Sequence, residues 1–108
     1  MKGDPQDRAE RAADYLTSSS AAAAQARAEK VFLEEFRKSL KAQIMSEHAG
    51  EPLGAQERMA YSDPRYLEHL EKMKQAVMED EKYRNLREGA NAILELFRTL
   101  SANERGLK

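Results

Sequence analysis

The residues through which this chain could do chemistry are two histidines, 19 carboxylates, 18 lysines and arginines and no cysteine. The missing cysteine excludes a thiol nucleophile, a disulfide framework and a cysteine-based zinc site. His48 and His69 are far apart in sequence, and three residues before His69 stands Tyr66, where a di-metal helix bundle carries glutamate. His48, two residues before Gly50, reads as a favourable charge at a helix C-terminus, and His69 as a surface or partly buried side chain. The carboxylates are interleaved with lysine and arginine, which is the pattern of solvated ion pairs rather than of a general acid and base. There is no glycine-rich phosphate loop and no Ser, His and Asp arrangement to build a nucleophile on. The chain is therefore expected not to be an enzyme and to take no metal or other cofactor.

Two basic sets remain. Lys30, Arg37, Lys38 and Lys41 fall on one side of the first long helical segment, with Glu34 among them. Such a stripe either tracks phosphates or is the ordinary charged face of a helix. Lys82, Tyr83, Arg84 and Arg87 place a ring beside guanidinium groups, a set that stacks on bases in single strands. Asp80 and Glu88, each four residues from Arg84, account for the same arginine by local pairing. The formal net charge is −1. A generic polyanion binder carries a basic excess, because its affinity comes from neutralising phosphates.

The elements that must position these residues are helices. Ala, Glu, Leu, Arg and Lys supply 60 of 108 residues, and the β-branched set is only Val31, Val77, Ile44, Ile93, Thr17 and Thr99. Asp4-Pro5-Gln6-Asp7 reads as a capped helix start, followed by the weak apolar stripe Ala9, Ala12, Ala13 and Leu16. Residues 1–20 are expected to be a helical or frayed N-terminal segment. Thr17-Ser18-Ser19-Ser20 either caps a fresh helix at Ala21 or lies inside a continuous one. A helical hairpin over 21–105 follows: a helix over 21–47 with Ala28, Phe32, Leu33, Phe36, Leu40 and Ile44 inward, a loop over 48–62, and a helix over 64–103. Gly50 is the expected left-handed cap of the first helix, Ala55 to Tyr61 could add a short helical turn, and Asp63-Pro64 opens the second helix.

The second long helix carries two stripes. Tyr66, Leu67, Leu70, Met73 and Val77 lie about 110–160° around the axis from Tyr83, Leu86, Ala90, Ile93, Phe97 and Leu100. Either the helix kinks near residue 80, or one half packs on the first helix and the other on a second chain. The second alternative gives a dimer face of Leu86, Ile93, Phe97 and Leu100. The expected fold is all-α, an elongated antiparallel helical hairpin dimerising into a helix bundle.

Tyr83-Arg84-Asn85-Leu86-Arg87, followed by the run from Leu96 to Arg105 with its Ala102-Asn103-Glu104-Arg105 ending, resembles the C-terminal signature of small bacteriophage proteins encoded near homologous-recombination genes. The resemblance spans about residues 30–105 and has Phe97 where that family often has Trp. It implies a phage or prophage origin and names Arg84, Arg87, Arg98, Asn103 and Arg105 as interaction residues, with no catalytic ones. The expected function is accessory, acting by protein–protein interaction in DNA recombination or replication, or inhibiting a host nuclease or defence complex. The alternative is a single-stranded nucleic-acid-binding accessory protein. The expected partners are a second copy and a host or phage protein, with nucleic acid a weaker one. No apolar run approaches the ~18 residues that cross a bilayer, and Met1 to Asp14 lacks the basic-then-apolar order of a signal peptide. No membrane partner and a location in the bacterial cytoplasm are expected.

Overall fold

A computed structural model describes residues 3–106, and within them every regular element is an α-helix. The four helices are α1 (Pro5–Ser18), α2 (Ser20–Ser46), α3 (Leu53–Ser62) and α4 (Pro64–Gly106). Met1 and Lys2, the start of the expected N-terminal segment, lie outside the described residues. No helix is long and apolar enough to cross a membrane among the described residues.

Each start follows from local chemistry. The Asp4 carboxylate accepts from the Asp7 N–H at 2.8 Å, and Pro5 supplies the preset first turn of α1. Asp63 is extended, as a residue before proline must be, and its carboxylate accepts from the Arg65 N–H at 2.8 Å at the start of α4. Between α1 and α2 only Ser19 lies outside a helix, with its backbone still in the right-handed helical region. The Thr17 and Ser18 hydroxyls donate back to the Ala13 and Tyr15 carbonyls at 3.2 and 3.4 Å, a local competition that bends and interrupts helices. Thr17 to Ser20 thus makes a one-residue break, and the fresh helix opens at Ser20.

Two expectations at the hairpin turn are corrected. Gly50 is not left-handed: the one glycine with positive φ among the described residues is Gly3. The end of α2 tightens instead, with the Glu47 and His48 N–H groups donating to the Ile44 and Met45 carbonyls at 3.1 and 3.0 Å. Most of the loop expected over 48–62 is the helix α3, which starts after Pro52 and is helped by the Gln56 side chain donating to the Glu51 carbonyl at 2.8 Å.

The chain divides into two compact units: Gln25–Asp80, and the N-terminal segment with the part from Glu81 onward. In Gln25–Asp80 the core is Ile44, Ala60 and Tyr66, with Leu40 and Met45 packed against it. Ile44 is the one large side chain fully enclosed among the described residues. Contacts pairing residue 30 with 80, 33 with 69 and 47 with 65 make α2 antiparallel to the first half of α4. In the other unit α1 packs along the second half of α4, burying Ala9, Ala12 and Ser19 on one side and Ala90 on the other. The N-terminal segment is therefore a docked helix, and the second half of α4 has a partner within the chain.

Candidate interaction site

The inward face of α4 in Gln25–Asp80 is not the one its apolar residues suggest. Tyr66, His69 and Asp80 are buried, with Met73 and Ala76 half-buried between them, a strict alternation of three and four residues. Leu67, Leu70 and Val77, expected inward, are exposed. The polar members go in because α2 offers them partners. The His69 ring Nε2 lies 2.7 Å from the Leu33 carbonyl, and Lys30 reaches the Asp80 carboxylate at 3.5 Å. His69 is thus deeper than a surface or partly buried reading allows. The end of this unit is held by Arg65, whose guanidinium donates to Glu47 at 2.8 and 2.9 Å and to Asp63 at 2.9 and 3.0 Å. Those hydrogen bonds hold both carboxyls below their usual range and push the guanidinium pKa up.

On α2 the inward seam is Ala26, Leu33, Leu40 and Ile44, and this turns Phe32 and Phe36 outward. Phe32 is 61% exposed and Phe36 37%. Their rings stack at 5.9 Å, and Phe36 also meets the His69 ring at 5.5 Å. With Gln25, Ala28, Ser39 and Gln43 they form an uncharged stripe, all exposed, within an arc of about 80° on the helix. The remaining exposed positions of α2 in this unit hold most of its lysines, arginines and glutamates. The expected basic stripe does not stand as one open surface. Lys30 pairs with Asp80, Lys38 with Glu35 at 3.3 Å, and Lys41 donates to the Tyr61 hydroxyl at 2.8 Å while lying over its ring.

In the second unit Arg87 points inward. Its guanidinium donates to the Leu16 carbonyl at 2.8 Å and to the buried Ser19 hydroxyl at 2.7 Å. Leu16 is in the last turn of α1, where carbonyls lack intrahelical donors, so Arg87 caps the break between α1 and α2. Arg84 pairs with Glu81 at 2.8 Å and Arg98 with Glu95 at 2.7 Å, both one turn away. Arg98 and Arg105 do come together, along a shallow groove with Leu94, Phe97 and Ser101, and Asn103 is exposed. The five arginine and asparagine positions therefore form no single surface.

Of the expected dimer face, Leu86 and Leu100 are exposed, while Ile93 and Phe97 are half-buried. Sequence reasoning missed Leu96, which is 53% exposed, and Gly89, beside which a methyl group would meet no atom within 4 Å. The available signal was the spacing 86, 89, 93, 96 and 100. A groove of about 440 Å³ runs beside this row, walled by Arg8, Arg11 and Tyr15 of α1 and by Leu86, Gly89 and Ile93 of α4. The Tyr15 hydroxyl is buried without a hydrogen-bond partner in the chain.

No group of three or more His, Asp or Glu able to hold a metal occurs among the described residues. No family model, curated protein or solved structure matches the chain.

Proposed function

We propose that this chain is a non-enzymatic accessory protein that works by protein–protein interaction, with the uncharged Phe32 and Phe36 stripe of α2 receiving an amphipathic helix of another protein. The observation that carries this reading is the placement of large apolar side chains outside while His69, Asp80 and Ser19 are buried. Contiguous exposed apolar surface of this kind marks interaction sites, and a helix laid along a helical face is a common way to fill one. The resemblance in Tyr83–Arg87 and Leu96–Arg105 supports a phage or prophage setting in the bacterial cytoplasm. There the partner would belong to the recombination or replication machinery, or to a host nuclease or defence complex. Single-stranded nucleic acid is the less favoured ligand, because Arg87 is engaged inside its unit and Arg84 and Arg98 are paired.

The test is affinity purification of the tagged chain from its native cells beside a Phe32→Glu/Phe36→Glu variant. A protein retained by the first and lost by the second, with helicity equal in both, supports the reading. Equal recovery by both refutes this face as the site.

A further inference from the structure

Resting on the protein-interaction reading, we infer that the second half of α4 is a self-association seam on which a second copy of this chain docks antiparallel. Leu86, Gly89, Ile93, Leu96 and Leu100 repeat at alternating intervals of three and four, within an arc of about 80°, as the a and d positions of a coiled coil do. The seam lies to the side of the face that α1 covers. Leu86, Leu96 and Leu100 are exposed and Ile93 is half-buried. Along its far edge stand Asn85, Ala92 and Thr99, so on that side no charge is desolvated or set against its own kind when an identical helix approaches, while Arg8 and Arg11 stand along the near side.

The seam is self-complementary in one orientation. In a two-fold antiparallel pairing, a positions of one helix meet d positions of the other. Gly89 then faces Leu100 of the second copy, Ile93 faces Leu96, and Leu86 faces Asn103, each pairing occurring twice. The space beside Gly89 is open, and it accepts the leucine. Asn103 arrives opposite Leu86, which shares a groove wall with Tyr15, and so carries an amide toward the end of the seam where the Tyr15 hydroxyl has no partner. A buried phenol without a hydrogen bond is uncommon in a finished structure. A parallel pairing would instead set Gly89 against Gly89 and leave a gap near the Leu86 end of the seam.

Because the chain has no cysteine, the register can be read by introduced thiols. Sedimentation of the full chain from low to several hundred micromolar is expected to give a mass that rises to twice that of one chain. A Gly89→Cys/Leu100→Cys double variant should oxidise to a covalent dimer, whereas either single variant should not, since each thiol's mate is the other residue. The two positions are eleven residues apart on one helix, about 16 Å, too far to bridge within a chain. At Gly89 an added Cβ has no neighbouring side chain within 4 Å and leucine improves helix propensity, so Gly89→Leu should keep or raise helicity while weakening association by about tenfold or more. A chain that stays monomeric throughout, a single-cysteine variant that cross-links as readily as the double, or a Gly89→Leu chain that associates as well as the parent overturns the inference. A monomer that still retains its partner through Phe32 and Phe36 would overturn the seam and leave the proposed function intact, and a dimer that retains nothing would do the reverse.

Discussion

Replacing Arg87 by methionine keeps the apolar stem of the side chain and removes the donor that holds the break between α1 and α2. Two acceptors lose their partner, the Leu16 carbonyl at 2.8 Å and the buried Ser19 hydroxyl at 2.7 Å. A hydrogen bond from a charged donor contributes about 1.5–3 kcal/mol net. Arg87 is half-buried, so water replaces part of the loss, and the expected cost for both bonds together is about 2 kcal/mol. That corresponds to a change of about thirtyfold in the equilibrium between docked and undocked α1. Amide hydrogen exchange resolved by peptide reads it directly. Pro5–Ser18 should exchange about thirtyfold faster, while peptides from Gln25–Asp80 should hold their rates. Ser19→Ala alone should cost about 1 kcal/mol, and the double variant less than the sum of the two, since both act on one bond. Unchanged exchange in α1, or an equal rise in both units, would refute the assignment of Arg87 as the cap of that break.

Ile44→Ala, at the one fully enclosed large side chain described, should destabilise Gln25–Asp80 by about 2–4 kcal/mol in a denaturant titration. Asp80→Ala should lower stability in the same unit by about 1–2 kcal/mol, because it leaves the Lys30 ammonium beside the α2–α4 seam without its carboxylate at 3.5 Å; a Lys30→Met/Asp80→Leu pair should recover most of that in the same assay. Arg65 holds the Glu47 and Asp63 carboxyls below their usual range, so their contribution is present above the unfolded values and lost as pH falls through the lower folded ones. Melting followed as a function of pH should therefore show stability falling below about pH 4, and Arg65→Met should flatten that fall.

Much of the fold was legible because its signals are local. Asp4-Pro5 and Asp63-Pro64 mark the two capped starts, and the long helices end within a few residues of where composition places them. The inward faces were not legible, since every stripe of α4 carries some apolar residue and the choice among them is made by another helix. His69 and Asp80 go in because Leu33 and Lys30 of α2 meet them, and Leu67 and Val77 are turned out as a consequence. Arg87 misleads in the same way: beside Tyr83 and Arg84 it reads as a ligand contact, and only the break at Ser19, far away in sequence, explains where it points. The α4 seam was half legible. Leu86, Ile93 and Leu100 stand out by type, whereas Gly89 and Leu96 belong to it by spacing alone.

On the proposed function, the outward phenylalanines of α2 are covered by another protein in the working state. The most direct measurement places a photoreactive phenylalanine analogue at Phe36 of the tagged chain in its native cells, with the same analogue at the exposed Glu68 as reference. A discrete covalent product containing a second, different protein is expected from position 36 and none from position 68. No product at Phe36, or products at Phe36 that contain only another copy of this chain, would contradict it.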